Sequence, residues 1–178
     1  MASRMLDWGP VSLTRRNHGL EHATLNLLSK RQPGAFAGYS DARGFWIVGN
    51  VSTDLLLETA QEALARMNNG EHGLAIHPYC GTNFVTTGVV AGSLAWLFTL
   101  GKANSFKKKL DRWPLLVLAV TAGAVLANPL GFKVQEKITT SGVPGNLVIR
   151  QITRYERKGP VLHRILTTEA HGKEMENA

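Results

Sequence analysis

Two stretches without a charged residue, Asn83 to Gly101 and Trp113 to Phe132, constrain this chain more than anything else in it. Wound as a helix rising about 1.5 Å per residue, each reaches across the ~30 Å hydrocarbon core of a bilayer. Small residues recur in both, Gly88, Ala91, Gly92 and Ser93 in the first and Ala119, Ala122, Gly123 and Ala124 in the second, and such residues let helices approach closely in lipid. The expectation is a transmembrane helical hairpin over 83–132. Core helices of a soluble protein are the competing reading, but those ordinarily carry a polar stripe. The chain-wide mean hydropathy of −0.07 averages this segregation away.

The connector 102–112 carries Lys102, Lys107, Lys108, Lys109 and Arg112 against Asp111, within a chain of net charge +7. A cationic cluster can meet nucleic acid. Flanked by two apolar runs, it is better explained by anionic headgroups and the positive-inside rule, so the expected partner is the lipid bilayer and no nucleic acid. That rule puts the connector in the cytoplasm and the N-terminal part on the far side. Yet the N-terminus reads as having no signal peptide, and Arg15, Arg16, Lys30 and Arg31 resist translocation. Either the N-terminal part crosses without a cleaved signal or the soluble parts are cytoplasmic, so the side the site faces stays open.

Outside the runs, Leu20, Ala23, Leu27 and Leu28 recur at helical spacing, predicting a helix from Ser12 to about Arg31 with Ser12 or Thr14 as cap. Gln32-Pro33-Gly34 ends it, and Gly38 to Gly44 reads as a polar loop. Phe45–Val48 reads as a strand. Thr53 is expected to cap a second helix to Met67 that buries Leu56, Ala60, Ala63, Leu64 and Met67 and leaves Glu58, Glu62 and Arg66 on the opposite side. Gly73–His77 reads as a strand ending at a turn, and Leu147–Tyr155 with Val161–Thr168 as a β-hairpin. The class is therefore α+β: a small helix/strand domain (1–82), a two-helix transmembrane hairpin (83–132) and a C-terminal β-hairpin with its tail (133–178).

The chemistry is concentrated in Asn17-His18-Gly19-Leu20-Glu21-His22 on the first helix. Positions four apart on a helix lie about 40° apart around its axis, so His18 and His22 can reach one metal ion from consecutive turns. Glu21, about 60° round from His18, can lie beside the ion and take a proton from an attacking water. The pattern His-x-x-Glu-His resembles the signature of the inverzincins, metallopeptidases with a reversed motif order. The resemblance implies His18 and His22 as ligands and Glu21 as general base. The downstream glutamate ligand of that family has no recognisable counterpart, Glu58 and Glu62 being the nearest candidates.

A second segment, His77-Pro78-Tyr79-Cys80-Gly81-Thr82-Asn83, follows. The pairing of His-Gly-x-Glu-His with His-Pro-x-Cys-Gly-Thr resembles a bacterial domain-of-unknown-function family of membrane-associated proteins, a likeness that spans most of the chain and implies that both segments serve one site. His77 is favoured as third ligand, with the chain's single cysteine, Cys80, as its substitute or as a fourth ligand. Asn83 and Asn128 are weaker substrate-contact candidates.

These readings converge on an integral membrane protein of the bacterial inner membrane, a zinc-dependent hydrolase acting on a peptide or protein substrate. The small soluble part suggests self-association to form a substrate groove. The alternative is a membrane-anchored binding or assembly factor whose His18, His22, His77 and Cys80 enclose a structural zinc ion.

Overall fold

The structure is a computed structural model that describes residues 6–100, 106–156 and 159–170. The chain divides into two compact units: residues through His77 together with those from Glu136 onward form one, and Pro78–Gln135 the other.

The first unit opens with α1, Gly9–Arg31. Pro10 stands in its first turn, where a missing N–H costs nothing, and Trp8, not Ser12 or Thr14, is the residue before it. Lys30 and Arg31 in the last turn face the negative end of the helix dipole. The helix stops at Gln32, which is extended because a residue preceding proline is driven out of the α region.

Strands β1 (Ala37–Asp41) and β2 (Gly44–Val48) form an antiparallel hairpin. β1 occupies what reads in sequence as a polar loop. It is an edge strand with no apolar alternation, held by its ladder to β2 and by a turn in which the Arg43 N–H donates to Asp41 Oδ1 at 2.7 Å. Helix α2, Thr53–Asn68, is capped one residue earlier than expected: Ser52 Oγ accepts from the Leu55 N–H at 3.3 Å.

The expected strand 73–77 is instead a single 3₁₀ turn, His72–Ala75, with Ile76 extended after it. The carbonyls a ladder would use are taken by side chains of α1. Asn26 Nδ2 donates to Leu74 O at 2.9 Å and to Ile76 O at 3.0 Å, and His22 is bonded to Ala75 O at 2.8 Å.

β3 (Leu147–Tyr155) and β4 (Leu162–Glu169) form the expected C-terminal hairpin, with a bulge between Ile149 and Gln151. It does not stand apart. β4 pairs with β2, giving one antiparallel sheet of order β1-β2-β4-β3 that joins the two ends of the chain. Phe45, Ile47 and Ile165 on one sheet face meet Leu20, Ala23, Leu27 and Leu28 of α1 and Leu56, Ala60, Ala63 and Met67 of α2 in a single core. The helical spacing identifies this buried face, and Leu64 packs at its edge.

His163 of β4 is fully buried, with Nε2 3.2 Å from Thr53 Oγ1. Burial, and then the charge of Arg154, push its pKa below the ordinary 6.5. The folded state therefore binds this proton less readily than the unfolded chain. Stability is retained above about pH 6.5 and lost as pH falls through that value, at up to ~1.4 kcal/mol per pH unit for one proton. Denaturant melts of wild type and His163→Gln between pH 8 and 5 isolate this contribution: the wild type should lose more stability toward the acid end than the variant does, and two parallel curves would contradict the assignment.

The second unit pairs α3 (Gly81–Thr99) with α4 (Phe106–Val134), and α4 is followed by a π-helical turn, Gln135–Thr139. A Cβ on Gly123 of α4 would stand 2.1 Å from Leu94 Cδ1 of α3, so the small residue permits the approach. The cationic connector is largely absorbed into α4, whose first turns contain Lys107 to Arg112, whereas Lys102 lies outside the described residues.

The expectation of a two-helix transmembrane hairpin needs correction. Among the described residues one helix, Leu110–Thr139, is long and apolar enough to cross a membrane. α3 lacks charge but not polarity: Asn83, Thr82, Thr86, Thr87, Ser93 and its glycines dilute the apolar content that an uncharged run suggests. Both helices of this unit nevertheless carry large apolar side chains on the outside, among them Phe84, Trp96, Leu118 and Leu126.

Asn83 is buried, its Nδ2 donating to Pro78 O at 3.0 Å and its Oδ1 accepting from Gln135 Nε2 at 3.1 Å. These bonds tie the start of α3 to Pro78 before it and to Gln135, the residue that follows α4. Asn128 is exposed beside Pro129 within α4.

Candidate metal centre

His18 and His22 leave α1 on consecutive turns, with ring centroids 4.3 Å apart. Each presents Nδ1 to a backbone carbonyl: His18 to Thr139 O at 2.9 Å and His22 to Ala75 O at 2.8 Å. A carbonyl can only accept, so both imidazoles donate through Nδ1–H and carry their ligating lone pair on Nε2. This is how histidine ligands are oriented at metal sites.

Two close approaches hold the Thr139 segment against α1. Gly19 lies under the backbone of Ser141, whose oxygen would stand 2.0 Å from a Cβ placed there, and the Ser141 N–H donates to Arg15 O at 2.9 Å. Gly19 costs α1 about 1 kcal/mol relative to alanine, and this contact is what it serves.

Glu21 is buried against β1. Ser40 Oγ donates a short hydrogen bond to Oε2, and a Cβ on Gly38 would stand 2.1 Å from Oε1, so only glycine leaves room for the carboxylate. Burial raises the Glu21 pKa above the ordinary 4.5, opposed by the Ser40 hydrogen bond and the nearby His18. A carboxylate shifted upward is a better proton acceptor near neutral pH.

The His77 ring lies 5.5 Å from that of His22, and its pKa is lowered by burial and by His22. The two third-ligand candidates fall in different units: His77 ends the first, which also holds His18 and His22, and Cys80 stands near the start of the second. The carboxylates of Glu58 and Glu62 are committed elsewhere, to Arg31 and, for Glu62, also to Arg66 at 3.3 Å.

Sequence reasoning missed the supporting residues. Ser40 lies in a stretch that reads as loop. Asn17, fully buried, donates to Asp41 O at 2.9 Å and accepts from Thr167 Oγ1 at 2.6 Å, fixing α1 to both β1 and β4. A polar residue directly preceding the motif was the available signal.

A family profile described as a domain of unknown function, DUF6391, matches residues 13–152, a span that includes both His-containing segments. An uncharacterized protein of Picosynechococcus sp. (strain ATCC 27264 / PCC 7002 / PR-6) is 36% identical over 154 residues, covering 78% of this chain and 70% of that protein. No solved structure matches the chain.

Proposed function

Because the chain belongs to the DUF6391 family, whose description names no activity, we propose from its own residues that it is a membrane-embedded zinc-dependent hydrolase, a metallopeptidase. The observation that carries this reading is the fixing of both motif imidazoles through Nδ1, with a desolvated carboxylate on the residue between them. Zinc is favoured because imidazole and thiolate donors suit it better than hard oxygen-seeking cations. His18 and His22 hold the ion, and the His77–Cys80 segment supplies the third ligand.

A bound zinc supplies Lewis-acid polarisation of a carbonyl and acidifies water. Glu21 accepts the proton of the attacking water and returns it to the leaving amine. Ser40 holds one carboxylate oxygen, which limits the rotation of the base between the two transfers.

The membrane setting is supported by the helix Leu110–Thr139 and by the apolar exterior of the second unit. The bacterial inner membrane is the setting this reading assigns, in keeping with the bacterial relative. Peptide or protein is the substrate class, and self-association supplies a groove that a soluble part this small lacks.

One observation favours a second reading. With the His77 ring beside His22 and Cys80 three residues on in the sequence, all four residues would close around the ion and leave no open position, as in a structural site of a binding or assembly factor. Detergent-purified chain loaded with zinc and given casein as an unstructured substrate separates the two. The hydrolase reading expects cleavage that a chelator abolishes and zinc restores. A zinc-loaded, folded chain that never cleaves, and that melts when the metal is withdrawn, supports the structural site instead.

A further inference from the structure

His18 owes its orientation to a carbonyl from a distant part of the chain, and that carbonyl has its own support. Lys137 to Ser141, the end of the π-helical turn Gln135–Thr139 and the residues after it, are hydrogen-bonded to α1. There the Arg15 guanidinium, through Nη2, donates to Lys137 O and to Thr140 O, each at 3.1 Å. These two carbonyls flank that of Thr139, which receives His18 Nδ1–H at 2.9 Å. Arg15 and His18 are three apart on α1, so they point from the same side of the helix. The Arg15 backbone carbonyl meanwhile accepts from the Ser141 N–H. Residue 15 thus grips the turn with both side chain and main chain.

We propose that Arg15 is a positioning residue of the metal centre. By holding the carbonyls on either side of Thr139, it keeps the Thr139 oxygen where His18 must donate Nδ1–H, and so keeps the His18 lone pair on Nε2. The inference rests on the metal reading of His18 and His22. It goes beyond that reading by naming the element that presets one ligand. A guanidinium suits this role, because its planar fork presents several N–H donors in a fixed geometry.

The test uses the full chain in detergent with two independent readouts. One is zinc affinity, measured by competition with a chromogenic chelator. The other is the His18 tautomer in the metal-stripped protein, read from ¹⁵N ring shifts. Arg15→Met should weaken zinc binding about 10–100-fold, the usual effect of losing a group that orients a ligand, and should populate the Nε2–H tautomer of His18. Arg15→Lys, which restores a cationic donor, should recover much of both.

Should Arg15→Met fail to fold, Arg15→Gln, which keeps one amide donor, takes its place, with the same two readouts and the fold monitored by circular dichroism. Wild-type zinc affinity and an unchanged His18 tautomer in a folded Arg15→Met or Arg15→Gln protein would overturn the positioning role while leaving the metal reading intact. A wild type that binds no zinc would overturn the metal reading, and the role with it.

Discussion

Replacing Glu21 with Gln should lower peptide hydrolysis by about 10²–10⁴-fold, the range a positioned general base contributes, while leaving zinc content and fold unchanged. Glutamine keeps the shape that fits beside Gly38 and an oxygen that can accept from Ser40, but it cannot take a proton. The stability change has a defined sign. Glu21 has its pKa raised by burial, so its ionised form is disfavoured in the folded state, and stability declines as pH rises past the ordinary value of 4.5. The neutral variant escapes that decline. It should melt at or above the wild-type temperature at pH 7, so lost activity cannot be attributed to lost fold. Full turnover in a folded, zinc-loaded Glu21→Gln protein would remove Glu21 from the chemistry.

The elements on which the candidate site is built were largely legible in the sequence, because they depend on periodicity. The apolar spacing of Leu20, Ala23, Leu27 and Leu28 marks the face of α1 that enters the core, and the β-branched content of 147–155 and 161–168 marks the hairpin. Within the motif, four-residue spacing alone brings His18 and His22 together. What local pattern does not carry is pairing. β1 has no apolar alternation and exists as a strand because β2 lies beside it. Likewise the junction of β2 with β4 depends on a register between residues more than a hundred positions apart.

The misread segments have a common cause. Gly73–His77 has strand-like residues, but its carbonyls are claimed by Asn26 and His22 from across the fold, and the backbone closes into a 3₁₀ turn. Cys80 and His77 are three apart in the sequence, a spacing that admits either as third ligand, with His77 favoured. The first uncharged run was read by its lack of charge, whereas crossing a membrane requires apolarity, which the threonines, asparagine and glycines of α3 reduce. Thr139 and Arg15, which orient His18, carry no motif at all; only tertiary structure brings them to the site.

The measurement that tests the metal centre most directly is zinc content by elemental analysis of the detergent-purified chain after exposure to zinc and removal of excess. Wild type should hold about one zinc per chain, the stoichiometry of a single mononuclear site. His18→Ala and His22→Ala should each lose it, since either change removes an imidazole already oriented by its carbonyl partner. Running His77→Ala beside Cys80→Ser identifies the third ligand by which variant also loses the metal. A folded wild type that holds no zinc, or a His18→Ala protein that keeps its full complement, would contradict the metal centre.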